Sequence, residues 1–429
     1  MNTIKKLKFL FVTHEALCVD LAWQVKKEGH DVKFYVQSKQ DSDVGDGFVD
    51  KTDNWLDNKN WADVIVFDDT GFGEIADKLR KEGKLVVGGS AYTDKLEDDR
   101  DFGQEELKKA GVNVLPHWAF TNFDDAIKFI KENPNRYVLK PSGAAQNEKE
   151  LLFVGREDDS KDVIQILELY KKNWAKKIKV LQLQRHATGV EVAVGAFFNG
   201  KEFVMPVCVN FEHKKLFPGE IGPSTGEMGT SCYWSTMSQI FKSTLERMQP
   251  ALSNSGYVGY IDINCIVNAK GIYPLEFTTR FGYPTISLQL EGIQSPVGEF
   301  LYTIAKGEDY ELKVKKGFQV CVVIAVPPFP FLDPIAFKKY SEDATIIFQK
   351  PNYDGVHIGD VKFVEGDWRL AGVSGYALII TGSGNTMEEA RRQAYQRVKN
   401  IIIPNMFYRT DIGERWMEDS DRLQTWGYL

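Results

Sequence analysis

Asp262, Asn264, Glu276, Thr278 and Arg280 fall within one short stretch, GYVGYIDINCIVNAKGIYPLEFTTRFGYP (residues 256–284), with the donor types to hold a cation and an anion together. Two apolar runs, 260–267 and 272–277, flank Asn268-Ala269-Lys270-Gly271, which reads as a β-hairpin. With a three-residue loop ending on a left-handed Gly271, Asn264 faces Glu276 and Asp262 faces Thr278. Strand side chains alternate, so all four groups then share a face. A two-residue loop instead sends the two carboxylates to opposite faces. Two carboxylates and an amide walled by Ile and Val are costly to bury unless a cation joins them. An all-oxygen set suits a hard ion such as Mg²⁺ (or Mn²⁺), leaving positions open for phosphates. Arg280, just beyond, is placed to hold another anion. The competing reading is an amphipathic hairpin whose polar face is merely wet.

Other stretches supply further chemistry. A strand from 138 ends in Lys140-Pro141-Ser142-Gly143-Ala144-Ala145, a pattern that suits a loop whose backbone N–H groups close over phosphates. The segment HKKLFPGEIGPSTGEMGT (213–230) is rich in glycine and lacks apolar periodicity. Irregular stretches of this length are usually functional or disordered, and the pair Thr225-Gly226 points to ligand contact. His14 ends the first strand, where a lone histidine is more often a hydrogen-bonded structural residue than a catalyst.

These groups need a scaffold, and composition bounds it. A chain of 429 residues exceeds one ordinary core. Its net charge of −7, without a basic block, argues against a general nucleic-acid or anionic-membrane binder. Five scattered cysteines without metal-type spacing read as buried thiols of a cytoplasmic protein. No apolar run is long enough to span a membrane. The first hundred residues alternate strands (9–12, 31–36, 64–67, 84–87) with helices (19–27, 75–81), predicting a parallel sheet covered on both faces. Ligands of such folds bind at the turns after the strands. Here those turns read Thr13-His14-Glu15 and Asp68-Asp69-Thr70-Gly71, with Gly88-Gly89-Ser90 after the last strand. Further on, one helix is expected over 96–110, strands over 180–184 and 189–198, and a helix over 296–305. Strands at 318–326, 345–348 and 376–381 follow. A last helix, 387–400, opens with a capping box at Thr386 and Glu389.

In this order the segments resemble an ATP-grasp ligase, and within that superfamily the phosphoribosylamine–glycine ligase family. GPSTGEMGT (222–230) stands where the family shows Gly-Pro-Asn-Thr-Gly-Gly-Met-Gly, and LEFTTRFGYP (275–284) where it shows Leu-Glu-Phe-Asn-x-Arg-Phe-Gly-Asp-Pro. His213-Lys214, TMEEARRQAYQRV (386–398) and YRTDIGERW (408–416) also match. The resemblance implies an α/β chain, α+β in parts, with three divisions. These are an N-terminal parallel α/β substrate domain (1–95), an ATP-grasp domain (96–310) and a small C-terminal α+β domain (311–429).

It also implies roles. Arg100 stands at a phosphate-binding position and Lys140 matches the lysine on the ATP α- and β-phosphates, with Ser142 opening the loop above them (142–146). Gln184 and Arg185 replace paired glutamates on the strand that reads adenine, and Glu191 matches the acid on the ribose. His213, Lys214, Thr225 and Gly226 belong to the matched motifs of the catalytic centre. Glu276 is the metal-binding glutamate. Thr278 replaces its asparagine partner, and Asp262 or Asn264 can supply the missing ligand. Arg280 orients the carboxylate or its acyl phosphate. The implied cofactors are ATP and Mg²⁺ (or Mn²⁺), and the partners small-molecule carboxylate and amine substrates. Nucleic acid and membrane are not expected, and the chain is expected as a monomer or homodimer. The departures cluster where substrates are chosen: no glycine-rich loop after the first strand, Tyr283-Pro284-Thr285 for Asp-Pro-Glu, Ser224 for Asn and Glu227 for Gly. They keep two alternatives open, a relative redirected to another amine or amino acid and a degenerate nucleotide-binding protein.

Overall fold

A computed structural model describes residues 6–142 and 151–429. The N-terminal sheet is parallel throughout, in the order Asp50–Lys51, Asp31–Val36, Lys8–Thr13, Val64–Phe67, Leu85–Val87. Its central strands are buried on both faces, which is why they read as near-continuous apolar runs. A four-stranded antiparallel sheet follows, ordered His117–Phe120, Val180–Arg185, Tyr137–Ser142, Phe153–Val154. The largest sheet has eight antiparallel strands. It runs from the hairpin Gly259–Asn268 and Gly271–Thr278 through Val190–Phe198, Phe203–Glu212 and Gly229–Ser235. It then takes in Phe318–Ala325, Tyr376–Gly384 and Val356–Ile358, so strands from either side of residue 310 share one sheet. Among the described residues no helix is long and apolar enough to cross a membrane.

Two local expectations are corrected, and one buried helix is new. The helix read over 96–110 is two helices, Ala91–Asp98 and Arg100–Lys109. They break at Asp99, which is extended (φ −120°, ψ 94°) and accepts the Phe102 amide, capping the second helix. That cap places Arg100 in a first helical turn. The stretch 213–230 is not irregular throughout, since Lys215–Phe217 and Ile221–Ser224 form a two-stranded ribbon. Helix Thr285–Gly292 was not anticipated. It is buried on nearly every side and so shows no amphipathic period.

That buried helix is pinned through Glu291. Its Oε1 accepts from Lys315 Nζ and Ser383 Oγ (both 2.8 Å), and its Oε2 from Thr381 Oγ1 (2.8 Å) and Arg397 Nη1 (3.1 Å). Burial would raise this carboxyl, but Lys315, Arg397 and Ser383 more than reverse it, to about 2 from 4.5. A folded value below the unfolded one stabilises the fold above pH 4.5, and the contribution is lost as pH falls toward 2. Glu291→Gln is therefore expected to lower Tm at neutral pH, with a deficit that shrinks as the pH drops through that window. Calorimetric scans along a pH series check this, and a pH-independent deficit contradicts it. The N-terminal unit is tied to the far strand by Asp20, which meets His357 Nδ1 at 2.7 Å and the Ile358 amide at 3.2 Å.

Candidate active site

The hairpin sets the geometry, by a route the loop alone does not reveal. Asn268 pairs with Gly271, so the loop has two residues, and Gly271 has φ 154° rather than a left-handed helical value. The expected three-residue loop is thus corrected. A bulge restores the register, because Cys265 pairs with Pro274 whereas Asn264 pairs with Glu276, leaving Leu275 as the extra residue. Pro274 has no N–H to give a ladder, so a bulge there sacrifices little. Gln104 Nε2 donates to the carbonyls of Pro274 (3.3 Å) and Leu275 (3.1 Å), holding the bulge from helix Arg100–Lys109. Asp262 consequently pairs with Thr278, and all four oxygen-bearing side chains meet one cavity of about 210 Å³.

Ten of the anticipated site residues line that cavity. Asp262, Asn264, Glu276, Thr278 and Arg280 come from the hairpin and its exit. Arg100, Lys140, Lys214, Thr225 and Gly226 come from a helix, the small sheet and the residues flanking the ribbon. Glu191 stands beside it, held by Lys214. Ser142 is buried at a strand end, and 143–146 of its expected loop lie outside the described residues. Gln184 is buried within the small sheet, while Arg185 borders a separate groove with His186 and Tyr273. His213 does not line the cavity. Burial together with Arg415 and Arg409 pushes its imidazole down to about 3, and its amide and carbonyl anchor the ribbon to Gly229 and Met228. His14 is structural, bonded to Gln37 (2.6 Å) and the Thr70 carbonyl (3.1 Å) and stacked on Phe72.

Charge is arranged around two lysines. Lys214 Nζ lies 3.0 Å from Glu191, 3.3 Å from Glu212 and 3.7 Å from Glu276. Burial alone would lower its pKa, and the three carboxylates instead hold it well above the ordinary lysine value. Glu276 gives its other oxygen to Arg100 Nη1 at 2.6 Å. Lys140, 5% exposed, is pushed down to about 7 by burial and by Arg100, with Glu276 opposing and Lys214 adding to the depression. Arg280 Nε sits 3.4 Å from Asp69 and 3.3 Å from Glu97, and Glu97 also accepts the Thr279 amide (2.6 Å). Sequence reasoning missed Glu212 and Glu97, and marked Glu227 only as a departure from the matched motif. Glu212 shares a strand face with Asn210 and directly precedes His213-Lys214, which is the one local signal for it.

The residues fit a hard divalent ion. Asn264 Oδ1 is buried without a hydrogen-bond partner among the described residues, Glu276 reaches the same cavity, and every donor is oxygen. Among the described residues no three acids or histidines converge closely enough to hold a metal by themselves. An ion such as Mg²⁺ takes one or two carboxylates and relies on phosphates and water for the rest.

Residues 98–286 match the family model described as phosphoribosylglycinamide synthetase, ATP-grasp (A) domain, and residues 319–415 that synthetase's C domain. Phosphoribosylamine–glycine ligase from Clostridium acetobutylicum is 24% identical over 353 residues, covering 79% of this chain and 81% of that protein. The enzyme of the same name from Streptococcus pneumoniae is 26% identical over 359 residues, covering 81% and 82%. Among solved structures, phosphoribosylamine–glycine ligase from Thermotoga maritima superposes with a TM-score of 0.72 at 20% identity, covering 95% of this chain and all (100%) of that one. Biotin carboxylase from Campylobacter jejuni superposes at 0.65 with 14% identity, covering 100% and 98%. The chain is an ATP-grasp ligase. Within that class it resembles the phosphoribosylamine–glycine ligases and is an ATP-dependent enzyme forming C–N bonds.

Proposed function

We propose that this cavity joins a carboxylate to an amine through an acyl phosphate, with glycine and phosphoribosylamine as the reference pair. The observation that carries the reading is the convergence of Lys140, Arg100, Lys214 and Arg280 on the cavity that holds Glu276. A carboxylate oxygen attacks the γ-phosphorus of ATP, the bond to the β-phosphate oxygen breaks, and ADP leaves. The amine nitrogen then attacks the acyl carbon, phosphate departs, and the nitrogen loses a proton. Lys140 and Arg100 bind the triphosphate oxygens, and Arg280 orients the carboxylate and then the acyl phosphate. Lys214 holds Glu191, Glu212 and Glu276 together. Glu276 and Asn264, aided by Thr278, would hold Mg²⁺ or Mn²⁺, which neutralises charge on the transferring phosphoryl group.

The reading assigns the parallel sheet (1–95) to substrate, residues 96–310 to nucleotide and catalysis, and 311–429 to a supporting α+β domain. It makes the chain a cytoplasmic enzyme, monomeric or homodimeric, that acts on small molecules rather than nucleic acid or membrane. The five cysteines, all buried and free, suit that compartment.

One set of observations favours a redirected amine. Asp68 is fully buried and raised to about 6 by burial and Asp69, and Asp69 with Glu97 already holds Arg280. The remaining candidate cradle is occupied, since Gly88 N donates to Val258 O (2.7 Å) and Ser90 N to Thr93 Oγ1 (2.8 Å). A phosphate monoester finds repulsion here, about 1 kcal/mol or more per close carboxylate even in water. The test is ADP release with glycine and phosphoribosylamine against a panel of amino acids and non-phosphorylated amines. Efficient turnover of phosphoribosylamine removes the redirected reading. Turnover confined to other amines supports it, and ATP binding with no ADP from any pair overturns the ligase reading.

A further inference from the structure

We propose that the groove between the helix Val19–Lys27 and the segment 351–368 is a second small-molecule site, one that takes a mononucleotide. The ligand class is an aromatic ring, sugar hydroxyls and a phosphate. The inference goes beyond the ligase reading and stands or falls without it.

The groove has a volume of about 800 Å³, against about 210 Å³ for the hairpin cavity, and the two share no lining residue. That size falls within the roughly 300–1,000 Å³ of small-molecule sites. A protein partner instead covers a broad patch of roughly 800 Å². One wall carries Trp23, Lys27 and Phe48, and the other Tyr353, Phe363 and Trp368. Tyr353 and Trp368 lie nearly parallel, 9° apart, with ring centres separated by 5.5 Å. Trp23 and Phe48 meet Trp368 edge-on at 5.7 and 4.9 Å, which fixes its plane. Packing accounts for Phe48, which is 6% exposed, but Tyr353 stays 48% exposed and Phe363 39%. Flat aromatic faces left open on a concave wall are what a nucleobase stacks on.

The charges supply the rest of the ligand. Lys27 Nζ sits 3.8 Å from the Trp23 ring centre. The carboxylate that acts on it is Asp20, which is already taken by His357 Nδ1 (2.7 Å) and the Ile358 amide (3.2 Å). Past Asn352 and Asp354 the groove adjoins a second recess, of about 520 Å³, lined by Lys350 and Lys399. None of these three lysines has an ion pair among the described residues. In a chain of net charge −7, their grouping around one recess raises the local potential for an anion. Asp354 is the single acid on either lining, and Asn352 Oδ1 accepts its amide at 2.9 Å. A lone carboxylate between an aromatic face and cations is an acceptor for sugar hydroxyls. Ring, hydroxyls and phosphate thus each meet a complementary group, with Lys27 on the phosphate.

The experiment is fluorine NMR on the full chain labelled with fluorotryptophan. The nine tryptophans act as local reporters, and none lines the hairpin cavity. Trp23→Phe and Trp368→Phe serve only to identify those two signals. AMP, GMP and CMP are titrated beside adenosine and ribose 5-phosphate. At least one mononucleotide is expected to shift both signals saturably, with Kd below about 1 mM. Adenosine and ribose 5-phosphate should bind at least about 10-fold more weakly. Tyr353→Ala should weaken the mononucleotide about 10-fold by removing a stacking face. Lys27→Gln should weaken it about 5-fold or more by removing a charged donor. Neither variant should change KM for ATP, and Tm reports that each is folded. Signals that stay still up to about 10 mM of every mononucleotide overturn the site. So does an affinity unchanged in both folded variants. Equal binding of ribose 5-phosphate shows that no ring is read, and equal binding of adenosine that no phosphate is. Either result overturns the assignment and leaves the ligase reading untouched.

Discussion

Glu276→Gln is expected to lower kcat by at least about a thousandfold while the protein stays folded, because charge stabilisation by a bound metal contributes several kcal/mol to phosphoryl transfer. Glu276 sits at the junction of three charges, with Arg100 at 2.6 Å, Lys214 at 3.7 Å and the ion the cavity is suited to hold. The amide keeps the shape and one acceptor but removes the charge that an ion and two basic side chains share. Lys214 retains Glu191 and Glu212, so the local structure survives. Turnover by ADP release, with Tm and ATP affinity measured alongside, checks the result. An active Glu276→Gln enzyme at ordinary Mg²⁺ removes Glu276 from the metal assignment.

Lys140→Ala is expected to weaken ATP by about 10- to 100-fold and to leave adenosine within about twofold, because the proposed role of the lysine is to bind phosphates alone. Glu191→Ala, assigned to the ribose, should weaken both ligands. Lys140 also carries a pH signature. Burial and the neighbouring Arg100 hold it at about 7 in the free protein, so it is largely neutral at about pH 8. A bound triphosphate raises that value, and binding at about pH 8 therefore takes up close to one proton, less at about pH 6. Calorimetry in buffers of different ionisation enthalpy reads the uptake. Uptake that persists in Lys140→Ala contradicts the assignment, as does an equal loss of ATP and adenosine.

Much of the scaffold is local in origin. The helix Val19–Lys27 and the strands Asp31–Val36 and Val64–Phe67 carry their own period and turn signals, and they lie where those signals put them. The capping box at Thr386 and Glu389 forms as its spacing requires. Where local signals are absent the reading failed. The helix Thr285–Gly292 is enclosed on nearly all sides and has no polar face to mark its period. The break at Asp99 depends on one side chain choosing to cap rather than continue a helix.

The candidate site divides in the same way. The residues of one hairpin, Asp262, Asn264, Glu276 and Thr278, were legible by themselves because strand alternation places them on one face. Sequence left the loop open between two and three residues. A bulge at Leu275, braced by Gln104 from a distant helix, decided the register, and no turn rule contains that contact. Lys140 was visible as the polar end of an apolar strand. Its lowered pKa was not, because it comes from burial beside Arg100, forty positions away. Lys214 was visible only as a motif match. Its hold on Glu191, Glu212 and Glu276 joins two neighbouring strands to the hairpin edge. The amino-acid sequence thus determined which oxygens and nitrogens each element presents, since that follows from periods of 2 and 3.6 residues. Only the tertiary structure decided which of them share a low-dielectric cavity, because charge pairing and burial depend on separation in space, not along the chain.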